Sequence, residues 1–247
     1  MTKKALVVIP TVGSAKLRDA VESVLAQTHM QDGMLDLWIV VDGPEYQEQT
    51  SSLINDIVRN EKNVHTMVLP ANTGAGGFYG HRIYASVSYL FNHDYIFYLD
   101  QDNWYDPDHV SSMIAACETN MWVWCYSLRK IFDENKNYIC DDDCESLGRW
   151  PIYLSNNQHL VDTSTYCIRR DVIVNVAPAW YNGWGGDRIF YSVIARHYPN
   201  FGCTGKPTLN YRLDGNGKSV TEDFFKTGND IMKLRYSNSY PWRQLNR

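Results

Sequence analysis

Residues 95–106 read YIFYLDQDNWYD, and the fold is decided there. The first five are an unbroken aromatic and aliphatic run of strand length, which stops at Asp100, Gln101 and Asp102. This is the pattern of a buried strand ending in paired acids. In an open α/β sheet, ligands bind at the carboxyl ends of the strands, so Asp100 and Asp102 would face a crevice. Carboxylates one residue apart suit a hard divalent cation such as Mg²⁺ or Mn²⁺, which takes oxygen ligands and shares them with substrate phosphates. The plain alternative is a polar turn after the strand, with Asp106 capping the next helix.

The chain before this stretch supplies the rest of such a sheet. Residues 5–10, ALVVIP, are an apolar, β-branched run ended by proline and read as a central strand that leaves the sheet at Thr11. Ser14 is placed to cap a helix whose stripe is Leu17, Val21, Val24 and Leu25, ending near Thr28 and His29. Residues 35–41 form a second apolar run, broken by Asp42-Gly43-Pro44, which puts a further acid on the same edge. A helix with Leu53, Ile54, Ile57 and Val58 leads to a third strand at 64–69. The alternation predicts an α/β fold with a mostly parallel central sheet flanked by helices.

Between that strand and the opening stretch lies NTGAGGFYGHR, residues 72–82. Its glycines let backbone approach a ligand closely, and a following helix offers free N–H groups to an anion, so a diphosphate is a natural guest. A dinucleotide fingerprint would need glycine where Tyr79 stands, and no P-loop Lys-Ser/Thr is present. A glycine turn packed on the sheet accounts for the pattern equally well.

The second half is less regular. Asp106 and Pro107 suit N-cap and N1 of a helix with Val110, Met113, Ile114 and Cys117 inward. Residues 121–127, MWVWCYS, read as a strand. Residues 132–149 carry Asp141, Asp142, Asp143 and Glu145 without a period and read as a solvated loop, because like charges repel. Strand-like pattern resumes over 160–168, and a short helix starts at 169–172. In YNGWGGDR, residues 181–188, glycines free the backbone before a helix, and Asp187 near its start is favoured in the ionised form a general base requires. A helix cap is the simpler reading of Asp187. Residues 208–213 suit a last strand. The turn-rich 214–219 is an ordinary loop or a closing flap bringing Lys218 to phosphate, and the polar tail packs back or meets a partner.

Composition narrows the classes. The 247 residues, 44% hydrophobic and 21% charged, suit one sizeable globular domain. A formal charge of −5 lacks the basic excess of a nucleic-acid binder. No apolar run is of membrane-spanning length and no signal-peptide core precedes the first strand, so a cytoplasmic chain without a transmembrane segment is expected, with peripheral membrane contact left open. The six cysteines form no Cys-x-x-Cys pair and read as reduced thiols.

Taken together, VVIPT, the helix LRDAVESVLAQTH, IVVDG, the Asn-x-Gly loop and FYLDQD resemble the nucleotide-sugar-binding half of the family 2 glycosyltransferases, of GT-A fold. The resemblance covers about the first 115 residues, and the glycine loop is similar to that of bacterial rhamnosyl- and galactofuranosyl-transferase-like members, one residue shorter. It implies a donor half at 1–115, an acceptor half at 116–235 and a tail at 236–247. It further implies that Pro10, Thr11 and Asp42 hold base and ribose, while Asn72, Gly74, Gly76, Gly77 and Arg82 flank the ribose-diphosphate. Asp102 would bind the metal directly, Asp100 would lie nearer the ribose or bridge through water, and Gln101 would join the donor site. The segment around Asp187 is similar to the family's Glu-Asp motif, with Gly186 in place of Glu. Asp187 is then the base of an inverting transfer from a UDP- or dTDP-sugar to a saccharide or other hydroxyl acceptor, in bacterial surface polysaccharide or glycoconjugate synthesis. Trp184, Gly185 and Gly186 would meet the acceptor. The rivals are a sugar-phosphate nucleotidylyltransferase, for which TVGSAKLRD is a poor match, and a non-catalytic nucleotide or carbohydrate binder.

Overall fold

The computed structural model describes residues 3–214 and 220–244. The turn-rich segment singled out above, Lys218 included, therefore lies outside the described residues apart from Asp214. Strand β1 (Ala5–Thr11) runs parallel to β2 (Leu35–Val41) on one side and to β4 (Tyr95–Tyr98) on the other, and β3 (Val64–Val68) extends the sheet beyond β2. The period of two decides which face each residue serves. Leu6 and Val8 join one core while Ala5, Val7 and Ile9 join the other, and Ile96 and Tyr98 are likewise separated from Tyr95, Phe97 and Leu99. Helices α1 (Leu17–Leu25) and α3 (Gln47–Val58) cover the second of these faces, α1 burying Leu17, Ala20, Val21 and Val24 at helical spacing. Thr28–Gln31 forms a separate short helix, α2, and Ser14 sits in the turn before α1, where its Oγ accepts from Lys16 N, rather than at the cap.

Beyond β4 the sheet becomes mixed, in the order β3-β2-β1-β4-β8-β6-β9-β5, with β7 beside β6. Strand β5 is Trp104–Tyr105, β6 Trp124–Phe132, β7 Tyr138–Asp141, β8 Tyr166–Arg169 and β9 Phe201–Arg212. Helix α4 (His81–Val87) follows the glycine loop, α5 (His109–Asn120) follows β5, and α6 (Arg170–Val176), α7 (Gly186–His197) and α8 (Glu222–Arg235) pack around the mixed half.

Several expectations for this half are corrected. Asp106 does not cap α5: the N-cap is Asp108, and the Asp106 carboxylate accepts from Lys130 Nζ at 2.6 Å and Asn210 Nδ2 at 2.9 Å. Strand β6 starts three residues later than 121–127 implied, because Met121 closes α5 in the left-handed conformation, and it continues to Phe132. The acidic segment is not a solvated loop. Asp142 is wholly buried, and Asp143, Cys144, Glu145 and Leu147 are buried with it. Arg129 on β6 donates to Asp142 at 2.8 Å, Glu145 at 2.6 Å and Asp162 at 2.5 Å. The tail packs back: Trp242 is buried and donates Nε1–H to Asp143, while Arg243 pairs with Asp141 and Asp143. All six cysteines are free thiols, and among the described residues no helix is long and apolar enough to cross a membrane.

Helix α5 also carries a pH-sensitive element. His109 is buried, stacks on Tyr105 and shares a hydrogen bond with Thr208 Oγ1 at 2.7 Å; burial pushes its pKa down to about 3, from 6.5 when unfolded. The folded state therefore refuses a proton that the unfolded chain accepts. His109's contribution is present in full above pH ~6.5 and is lost on acidification at up to about 1.4 kcal/mol per pH unit, until the pH nears 3. Denaturant unfolding of wild type and His109→Gln between pH 7 and 4.5 tests this, the variant showing the flatter profile.

Candidate active site

Four loops at the carboxyl ends of the parallel strands enclose a cavity of about 460 Å³. Of the residues expected at the donor, Pro10, Thr11, Asp42, Asn72, Gly74, Asp100, Gln101 and Asp102 all line it, which follows from β1, β2 and β4 being parallel neighbours. Gln101 ties the loops together: its Oε1 accepts from Thr11 Oγ1 at 2.7 Å and from the backbone N–H groups of Val12 and Ser14. Asp42 does the same for the glycine loop, accepting from Thr73 N and Oγ1 at 2.7 Å and from Gly74 N at 2.8 Å. Glycine is required at 74, since a Cβ there would lie 2.4 Å from the Tyr79 carbonyl oxygen and 2.9 Å from Asp42. Gly76, Gly77 and Arg82 stand outside the cavity lining. Arg82 donates to the Thr73 carbonyl and stacks on Phe78 at 3.6 Å, so it braces the loop from behind.

Asp100 and Asp102 sit at the floor. Asp100 accepts from Tyr84 Oη at 2.8 Å and from Ser164 Oγ at 3.3 Å, and its backbone N–H donates to the same Ser164 oxygen. Burial pushes its pKa up to about 7, with Asp102 and Asp162 adding to the shift. Burial likewise raises Asp102, and the opposing charges of Lys16 and Arg212 offset it only in part. Among the described residues neither Lys nor Arg lines the cavity, whereas Asp42, Asp100 and Asp102 do. A site with hard oxygen donors and crowded carboxylates fits a divalent cation, with Asp102, whose carboxylate takes no hydrogen bond from another described side chain, as the freest ligand.

A second cavity, about 490 Å³, adjoins the first, Tyr211 lining both. Trp184 and Asp187 line it together with Arg129, Glu145, Asp162, Arg188 and Phe224. Asp187 lies in the first turn of α7 and accepts from Arg188 N at 2.8 Å. Gly185 and Gly186 form the start of that helix. Trp184 is 81% exposed and Tyr181 is exposed too, whereas Trp180 is fully buried and stacks on Phe190 at 4.0 Å, so it fills the core.

Sequence reading missed the residues that complete these cavities. Tyr211 gave only a strand signal, Asp162 stood alone in a strand-like run, and His81 was one member of the glycine window. Arg129 fell between the strand read at 121–127 and the loop read at 132–149.

Comparison with known proteins agrees with this geometry. The family model described as Glycosyl transferase family 2 matches residues 6–168. Crystal structures of S. aureus TarS 1-349 in complex with UDP and with UDP-GlcNAc superpose with TM-scores of 0.65 at 14% identity. Each match covers 96% of this chain but 66% and 67% of those chains. The full S. aureus TarS structure gives a TM-score of 0.63 at 12% identity, with 40% of its chain covered. At these identities the likeness establishes a shared GT-A fold. No curated protein sequence matches the chain.

Proposed function

The chain belongs to glycosyl transferase family 2, and from that premise we propose that it moves a sugar from a UDP- or dTDP-linked donor to the hydroxyl of a saccharide or other acceptor, with inversion at the anomeric carbon. The observation that carries the reading is the adjoining pair of cavities, one floored by Asp100 and Asp102, the other holding the Asp187 carboxylate at a helix start. The neighbours bound to UDP and UDP-GlcNAc support a nucleotide-sugar donor.

In this reading Asp102 and Asp100 hold Mn²⁺ or Mg²⁺, which when bound neutralises charge growing on the departing diphosphate. Tyr84 and Ser164 orient Asp100. Thr11 and Asp42 receive the base and ribose, and the Asn72 to Gly77 loop lies along the ribose-diphosphate. Trp184 offers a face on which an acceptor sugar stacks. Asp187 takes the acceptor's proton as its oxygen attacks opposite the leaving group, and one displacement gives one inversion.

Release of nucleotide from a panel of UDP- and dTDP-hexoses, with Mn²⁺ and with EDTA, tests the reading, because a pure binder releases none. Asp102→Asn should weaken donor binding in Mn²⁺ by about tenfold or more, since even an outer partner of a metal ligand commonly costs that much. The difference between Mn²⁺ and EDTA should vanish with it. Undiminished metal dependence in a folded variant would remove Asp102 from the metal site.

A further inference from the structure

Among the described residues, His81 is the one histidine lining the donor cavity, and the reaction above leaves it without a task. It lines the cavity from the start of α4, and its Nδ1 lies 2.7 Å from the carbonyl oxygen of Asn182 in the loop leading to α7. A carbonyl only accepts, so the proton sits on Nδ1, and in the tautomer so fixed the lone pair is at Nε2. Among the described residues Nε2 has no hydrogen-bond partner, and it is not one of their buried unpaired polar atoms.

The first turn of α7 is shaped around this ring. A Cβ at position 186 would lie 2.8 Å from His81 Cε1 and Nδ1, so only glycine leaves the imidazole its place, one residue before Asp187. Trp180 flanks the ring at 5.6 Å. His81 is thereby held between the cavity floored by Asp100 and Asp102 and the helix that carries Asp187. The ring therefore stands in the wall of the donor cavity on the side of the helix that carries Asp187, where a sugar on a diphosphate at the floor would meet it.

We infer that His81 reads the transferred sugar, accepting through Nε2 a hydrogen bond from one of its ring hydroxyls. The inference rests on the donor reading above. It makes His81 a determinant of which hexose is transferred, separate from the groups that hold nucleotide and metal. The bond to Asn182 also couples sugar recognition to the loop that starts the base's helix.

The test compares UDP (or dTDP) with the tightest-binding hexose donor of the same nucleotide, in Mn²⁺, for wild type, His81→Phe and His81→Gln. Phe keeps the ring and its contact with Trp180 but removes both nitrogens, whereas Gln restores an acceptor. His81→Phe should leave free-nucleotide affinity unchanged and weaken the nucleotide sugar by about fivefold to tenfold, the loss of one hydrogen bond, with part of it recovered in His81→Gln. In ¹⁵N-histidine spectra the His81 Nε2 resonance should move on adding nucleotide sugar and stay put with nucleotide alone, which a purely structural ring would not do. Equal weakening of nucleotide and nucleotide sugar would assign His81 to the diphosphate and overturn the inference, as would unchanged affinities with a static Nε2 signal. If wild type binds nucleotide but no nucleotide sugar of the panel, His81 has no sugar to read and the inference falls. If wild type binds neither, the donor reading itself has failed.

Discussion

Asp187→Asn is expected to lower turnover by about a hundredfold or more while leaving donor affinity within about twofold of wild type. An acceptor hydroxyl is a poor nucleophile at neutral pH, and an amide cannot take its proton. The substitution is nearly isosteric, and the Asn oxygen can still accept from Arg188 N as Asp187 does at 2.8 Å, so the start of α7 should survive. That separates the two roles open to this residue: a helix cap is preserved in the variant and a base is not. Nucleotide release at saturating acceptor gives the turnover, and NMR of the product's anomeric proton gives the stereochemistry. Near-normal turnover, or a product of retained configuration, would reduce Asp187 to a cap.

Arg129→Met should cost about 3–5 kcal/mol of folding stability, a large part of the roughly 5–15 kcal/mol a domain possesses. The Arg129 side chain is 2% exposed and is shared by three carboxylates, Asp142, Glu145 and Asp162, each 9% exposed or less. Removing the guanidinium leaves those charges buried together. Arg129→Lys should rescue little, since a single ammonium cannot reproduce three planar donors. Burial already raises Glu145 and Asp162 in the wild type, despite Arg129, whereas Arg129 helps hold Asp142 down. Without Arg129 Glu145 and Asp162 should rise further, and Asp142 should rise with them. A carboxyl whose folded pKa exceeds its unfolded value favours folding as pH falls through the raised value, so the variant's deficit should shrink between pH 7 and 5. Denaturant unfolding at the two pH values checks both magnitude and sign. The same cluster reaches the residues proposed for metal and base: Asp162 accepts from Ser164 N, Ser164 bonds Asp100, and Glu145 pairs with Arg188 beside Asp187. Residual activity of a folded Arg129 variant should fall for that reason too.

The parallel half and the cavity at its strand ends were legible because their signals are local. A β-branched run ended by proline, acids after the second and fourth strands and glycines before a helix need no knowledge of distant neighbours, and parallel pairing of adjacent βα units brings those strand ends together. The stripe of α1, Asp187 at a helix start and the paired acids at the end of β4 were visible on the same terms.

What only the tertiary structure decided is where charge and space are shared between distant segments. Asp141, Asp142, Asp143 and Glu145 read as a solvated block because their partners are out of sight along the chain: Arg129 lies on β6, and Arg243 returns from the tail about a hundred residues later. A run of acids looks the same in sequence whether water or a guanidinium neutralises it. The glycine at 186 likewise looked like a missing carboxylate until His81, 105 positions earlier, was found in the space beside it. Periodicity reports which way a side chain faces, and that is a local property of φ and ψ. Compensation of a buried charge, or room made for a ring, is a property of pairs that only folding brings within a few ångströms of each other.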